Sequence, residues 1–167
     1  MGIKTLILTD LDYNKTSKTE SHIRASGTTN ATINNFYEIT HPETKPTVAD
    51  LYEWKKNEGN ILFKGCAYLN YQGEKDSFAR TLEEAMLAKY YKITAFEEKS
   101  REDWIKLRND DKLKFTIPQE AGQYTIRDIV EHTSKGKTDF MYSVILNNLT
   151  KIMLPDYIEE GLAWLKK

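Results

Sequence analysis

Two aspartates, Asp10 and Asp12, carry the strongest chemical signal in this chain of 167 residues. They close an uncharged run, Thr5-Leu6-Ile7-Leu8-Thr9, and precede the turn-prone Tyr13-Asn14-Lys15. Two apart on an extended chain, their side chains project to one face. A pair of acceptor-only carboxylates at the end of a buried strand repels itself. A hard divalent cation relieves that repulsion, and carboxylate-rich oxygen sites suit Mg²⁺ or Mn²⁺. Open α/β folds also place their ligands at the carboxyl ends of strands. Asp is equally a common turn former, so the spacing alone also admits a solvated turn.

Three further sets of residues bear on chemistry. In Thr81-Leu82-Glu83-Glu84, Thr81 and Glu84 have the spacing of a capping box, which gives Glu84 a structural task. Glu83 has none and is the better metal-ligand candidate, although both carboxylates also suit the positive end of a helix dipole. Lys135 and Lys137 flank Gly136 just before a helix, where a phosphate is well received. Arg80 stands in the same relation to its own helix. The alternative for these cations is a solvated basic surface, where isolated charges are worth little. His22, His41 and His132 lack partners at ligand spacing, and no G-x-S-x-G elbow or glycine-rich nucleotide loop is present.

These residues must be held by a small set of elements. The stretch Lys4–Asp12 reads as a strand that ends in Asp-x-Asp, and His22–Ser26 as a short one. Thr29 or Asn30 caps a helix carrying Ile33, Phe36 and Tyr37, which Pro42 ends. Val48–Lys56 reads as a short helix and 61–71 as the second strand, with Cys66 inside it as an inert core residue. The clearest helix starts after Thr81, with Leu82, Ala85 and Met86 on one face. Residues 97–114 are highly charged around Trp104, Ile105 and Leu107, so 92–130 reads as a charged helical insertion or surface helix. Thr125-Ile126-Arg127-Asp128 opens a helix to His132. Another runs from Thr138 through Leu149, with Phe140, Val144, Ile145 and Leu149 facing the core. A last amphipathic helix covers 157–165. Few strands among several helices give an α/β fold around a small parallel sheet flanked by helices.

Bulk composition narrows the class. The chain is 40% hydrophobic and 29% charged, which suits a globular domain and not a disordered tail. With 24 basic and 25 acidic residues there is no global basic field, so any DNA contact rests on a local patch. A single cysteine excludes an internal disulfide and a Cys-rich zinc site. No apolar run approaches a membrane span, and the charged-then-apolar order of a signal peptide is missing, so the expectation is a soluble cytoplasmic protein with no membrane partner.

Taken in order, several segments resemble one family. The run Gly2–Asp12 resembles the Asp-x-Asp strand of a Toprim domain. Thr28-Thr29-Asn30-Ala31 follows, then Ala67–Gln72 with Arg80–Ala85, then Lys135-Gly136-Lys137-Thr138-Asp139-Phe140, then Pro155–Leu165. That series is similar to the C-terminal half of OLD (overcoming lysogenization defect) nucleases, over most of the chain except 92–130. The family joins an ABC-type ATPase to a Toprim nuclease and acts in DNA processing and phage defence. The resemblance implies a two-metal endonuclease. Asp10 and Asp12 would hold one cation, Glu83 would help to hold the second, and Lys137 would face the scissile phosphate. Lys135 and Arg80 would contact DNA. Two cations about 4 Å apart would activate water and stabilise the leaving oxygen.

The partners implied are DNA and an ATPase domain or subunit, which alone would use ATP; a homodimer is also open. Toprim domains begin with a strand and a ligand glutamate upstream of Asp-x-Asp. The resemblance therefore implies that residues 1–167 form a single, partial Toprim domain lacking that first strand. Two other readings stand beside it. One is a phosphohydrolase of the haloacid dehalogenase type with Asp10 as nucleophile, although Tyr13-Asn14 replaces the usual Gly-Thr. The other is a non-catalytic interaction module completed by a partner chain.

Overall fold

Thr5–Leu8 forms the first strand, β1, as its run of Leu and Ile suggests. The computed structural model describes residues 3–147 and 154–167. Three helices follow β1. The first, α1 (Glu20–Ala25), occupies the segment expected as a strand. Thr19 decides this locally, because its side chain accepts the amide N–H of His22 and Glu20 sits in the first turn. Asn30 caps α2 (Ala31–Thr40) through the amides of Thr32 and Ile33. Thr47 and Asp50 form a full capping box on α3 (Val48–Lys56).

The second expected strand is broken in two. Phe63 and Lys64 adopt left-handed φ values of 52° and 56°, and Gly65 follows at 79°. The chain therefore reverses, and β2 (Ile61–Leu62) pairs antiparallel with β3 (Ala67–Asn70). Cys66 lies half-buried in this turn and not inside a strand. β3 also pairs parallel with β1, from Thr5↔Ala67 to Leu8↔Asn70. The sheet, in order β1-β3-β2, is thus mixed and not purely parallel.

Beyond the sheet, Thr81 caps α4 (Leu82–Tyr91). A short β4 (Lys99–Ser100) leads into α5 (Arg101–Asp111) and pairs with β5 (Gln123–Tyr124). Thr125 and Asp128 form a capping box at α6 (Ile126–His132), as their spacing predicts. A 3₁₀ turn at Ser134–Gly136 replaces the expected loop and runs into α7 (Lys137–Asn147). Phe140 and Val144 are buried as expected and Ile145 is exposed; Leu149 lies outside the described residues. The last helix is α8 (Asp156–Leu165). The architecture is α/β, about half helical, with small mixed sheets flanked by helices.

Burial falls into two large clusters. One gathers Leu11, Tyr13, Ile23, Ile33, Leu51 and Leu69 beneath α1 to α3. The other gathers Leu87, Trp104, Phe115, Ile129 and Phe140. The charged 92–130 segment is therefore more than surface. α5 buries only Trp104, but the residues after it, Leu113, Phe115 and Ile117, complete a core with α4, α6 and α7. α4 is buried along Glu84–Ala88, nearly all round, as befits a central helix. α8 packs on β1 and β3, close enough that a Cβ on Gly161 would stand 2.9 Å from Leu6 Cδ1. Among the described residues no helix is long and apolar enough to cross a membrane.

Candidate functional site

Asp10 lies just beyond β1, where the parallel pairing is prolonged by the Thr9 amide donating to the Asn70 carbonyl at 3.1 Å. A buried glutamine that sequence reading passed over holds this corner. Gln72 Nε2 donates to Asp10 Oδ1 at 2.8 Å, and Gln72 Oε1 accepts the Leu11 amide at 2.7 Å. Asn30 grips the other side, donating through Nδ2 to the Asp10 carbonyl and to Thr9 Oγ1, both at 2.7 Å. The polar Gln72 after an apolar strand was the available signal, but its partner lies 62 residues away.

Asp12 is no longer on an extended chain. Its φ is +47°, a left-handed value that Asp tolerates better than most residues. Alternation along a strand therefore does not set the relation between the two aspartates. The turn does, fixed by the Thr29 amide donating to the Asp12 carbonyl and the Asp12 amide donating to the Arg80 carbonyl, each at 3.1 Å.

The amino end of α4 completes the corner. Burial holds the Asp10 carboxyl above the usual carboxylate range, opposed by the Gln72 hydrogen bond; the charges of Asp12 and Glu83 push it further up, and the Leu82 amide opposes them. Glu83, mostly buried, pairs with Lys137 Nζ at 3.3 Å. Lys135 stands exposed in the preceding 3₁₀ turn. Structure thus brings Lys137, and not Lys135, onto Glu83. Beside this pair the crevice lined by Leu87, Phe115, Val130 and Phe140 is closed to water.

Arg80 is drawn inward. Its Nη1 lies 3.8 Å from Asp12 Oδ1, and its Nε 3.7 Å from Glu84 Oε1. Glu84 does cap α4, but not as the expected box. Its amide donates to Thr81 Oγ1, while its carboxylate accepts the amide of Arg80 at 2.8 Å. Arg127, another residue the sequence did not single out, is buried nearby. It donates to the carbonyls of Lys15 and Ser17 and to Tyr13 Oη, so the loop after Asp12 is anchored to α6.

Arg80 thus pairs with Asp12 and Lys137 with Glu83, while the charges of Asp12 and Glu83 act on Asp10. Among the described residues no group of three or more His, Cys, Asp or Glu side chains is arranged to hold a metal ion. The oxygen-only character of the donors suits Mg²⁺, which commonly keeps several waters and takes only one or two protein carboxylates. A cavity of about 700 Å³ is lined by Tyr52, Lys55, Tyr68, Glu160 and Trp164 and by none of these residues. No protein-family model, curated protein or solved structure matches the chain.

Proposed function

We propose that this chain carries the nuclease site of a metal-dependent DNA endonuclease, a Toprim-type domain of the OLD kind that nicks DNA in phage defence or DNA processing. The supporting observation is that the charges of Asp12 and Glu83, from the ends of β1 and α4, both act on Asp10, and that each of the two carries a cation, Arg80 on Asp12 and Lys137 on Glu83. Phosphodiester cleavage needs negative charge to gather cations, and it needs cationic groups where charge develops on phosphate.

Asp10 and Asp12 would hold one Mg²⁺ or Mn²⁺ and Glu83 would help to hold another. A cation bound there supplies Lewis acidity and an acidified water. The chain's own groups do the rest. Gln72 holds Asp10 Oδ1 and so fixes the orientation of its carboxylate. Arg80 steadies Asp12 from inside the protein, a positioning task and not a DNA contact. Lys137 is half-exposed beside Glu83 and meets the scissile phosphate as a point charge. Lys135, exposed one turn earlier, follows the DNA backbone. ATP use would belong to a separate ATPase domain or subunit.

The test is nicking of supercoiled plasmid with Mg²⁺ or Mn²⁺. The expected result is cation-dependent conversion to open circles that Asp10→Ala abolishes. Cleavage unchanged in excess chelator overturns the reading. A phosphate trapped covalently on Asp10 would replace it with the phosphohydrolase reading.

A further inference from the structure

The cavity of about 700 Å³ is walled by α3 and by the second half of α8, whose Lys55 and Glu160 meet at 3.1 Å. Tyr68 of β3 and its cross-strand partner Ile61 of β2 also line it. β2 and β3 lie on the side of the sheet away from the outer edge of β1, so the cavity does not depend on what pairs with β1. Its volume falls within the range of small-molecule sites, about 300–1,000 Å³.

Three aromatic rings, Tyr52, Tyr68 and Trp164, belong to its lining. The centroids of Tyr68 and Trp164 stand 5.3 Å apart with their planes inclined at 58°, so the two rings touch and form an angled wall. A flat ligand ring lies against such a wall and not between its members. Two lining residues also bring buried polar atoms. Asn60 Nδ2 donates to the Leu69 carbonyl at 2.7 Å, and a carbonyl only accepts, so the orientation of the amide is fixed. Its Oδ1 is therefore an acceptor, and it is buried without a partner among the described residues. Tyr52 Oη is buried without a partner as well. Buried polar atoms are costly unless paired. A ligand N–H would serve Asn60, and a ligand acceptor would take the Tyr52 O–H.

Charge narrows the ligand class. Four lysines and four glutamates line the cavity, so it carries no net field to gather a polyanion. Its innermost cation, Lys55, and the exposed Lys75 are both engaged by Glu160, at 3.1 and 3.0 Å. A phosphate would have to displace that carboxylate, whereas a neutral ligand leaves the pairs intact. The ligand that fits is planar and neutral, with a donor and an acceptor on its edge. We propose that this cavity takes a nucleobase, of a free nucleoside or of an unpaired residue in a single strand. Its ring lies against Tyr68 and Trp164, and its edge donates to Asn60 Oδ1 and accepts from Tyr52 Oη. Stacking on aromatic faces tolerates any base, because every base has a π-face. None of these residues belongs to the acidic corner at Asp10, and the proposal does not rest on the nuclease reading.

The experiment is titration of the whole chain with adenosine in EDTA, followed by the NMR shifts of the Asn60 and Tyr68 amides; EDTA makes the outcome independent of any cation. The expected result is saturable binding with a dissociation constant below about 1 mM. A five-residue oligo-deoxyadenylate tells the sources apart: tighter binding than adenosine assigns the site to a single strand, and binding no tighter assigns it to a free nucleoside. Tyr52→Phe removes an oxygen that no described residue uses. It should not lower the melting temperature, yet it should weaken adenosine by about threefold or more, the worth of one hydrogen bond. Trp164→Ala should weaken it at least about fivefold. Tyr142→Lys, on the exposed face of α7, should leave it unchanged. Far-UV circular dichroism identifies any variant that fails to fold, and Tyr52→Phe carries the test if Trp164→Ala does. No saturable binding up to about 5 mM adenosine overturns the proposal. So does equal binding of ribose 5-phosphate, which has no base, or of indole, which has a donor but no acceptor. An affinity that the folded cavity variants leave unchanged overturns it too.

Discussion

Glu84 Oε1 stands 3.6 Å from Arg127 Nε and 3.7 Å from Arg80 Nε, in a side chain only 1% exposed. One carboxylate thus joins the corner around Asp12, which Arg80 touches, to the loop at Lys15–Ser17, which Arg127 holds. Burial pushes the Glu84 carboxyl up, against the lowering influence of Arg127, the Arg80 amide and the Arg80 side chain. Both Nε atoms are buried and find no hydrogen-bond partner at shorter range.

Glu84→Ala should therefore be among the most damaging single changes. It removes the one carboxylate near Arg127, which is buried, and the nearer of the two beside Arg80, and breaking a buried pair from one side costs about 3–5 kcal/mol. Urea unfolding of the variant against the parent measures this. A loss under about 1 kcal/mol would mean that the arginines reach water without it.

Lys137→Ala should separate chemistry from stability. The Lys137–Glu83 pair involves a half-exposed lysine, so its loss should cost no more than about 1 kcal/mol. Under the nuclease reading the nicking rate should fall by about 10²–10³, the usual effect of removing a group that stabilises developing charge. An unchanged rate would remove Lys137 from the site.

Asp76 gives a pH signature. Burial raises its carboxyl above the ordinary 3.8, although the Gly73 amide, Lys55 and the Tyr157 amide oppose the shift. A folded value above the unfolded one means that the folded state binds the proton more readily. The contribution of this group is therefore complete below 3.8 and is lost as pH rises through the folded value. On acidification from neutral pH toward the ordinary carboxylate range, Asp76 should make the chain more stable. Glu160 and Asp50, both held low, oppose this only once pH falls below their ordinary values of 4.5 and 3.8. Melting temperatures followed from pH 7.5 down to about 4.5 should show the gain, reduced in Asp76→Asn. An identical slope in that variant would assign the effect elsewhere.

Gly161→Val tests the seating of α8. A Cβ there would meet Leu6 Cδ1 at 2.9 Å and Leu8 Cδ2 at 3.3 Å, so a branched side chain must push the helix off β1. The expected loss is about 1–3 kcal/mol, the range for overpacking. Gly161→Ala should cost less, because the atoms it meets are the ends of flexible leucines. Chemical denaturation of the two variants gives the order, and an equal or reversed order would show that α8 sits farther from the sheet.

Short-range chemistry was legible in the chain itself. A strand within Lys4–Asp12, the helix starts at Thr29 or Asn30, Thr81 and Thr125, and the α3 bounds Val48–Lys56 all rest on signals within a few residues, because a cap reaches only to the second or third amide beyond it. So did the candidacy of Asp10, Asp12 and Glu83, which rests on residue type and spacing. Tertiary structure decided the rest. It turned 61–71 into a hairpin, made a core from the segment after α5, and sent the Glu84 carboxylate to Arg80 and Arg127. It also clamped Asp10 with Gln72 and tied Arg127 to a loop more than a hundred residues away. A buried charge or amide must find a partner wherever the fold supplies one, and distance along the chain does not limit that choice.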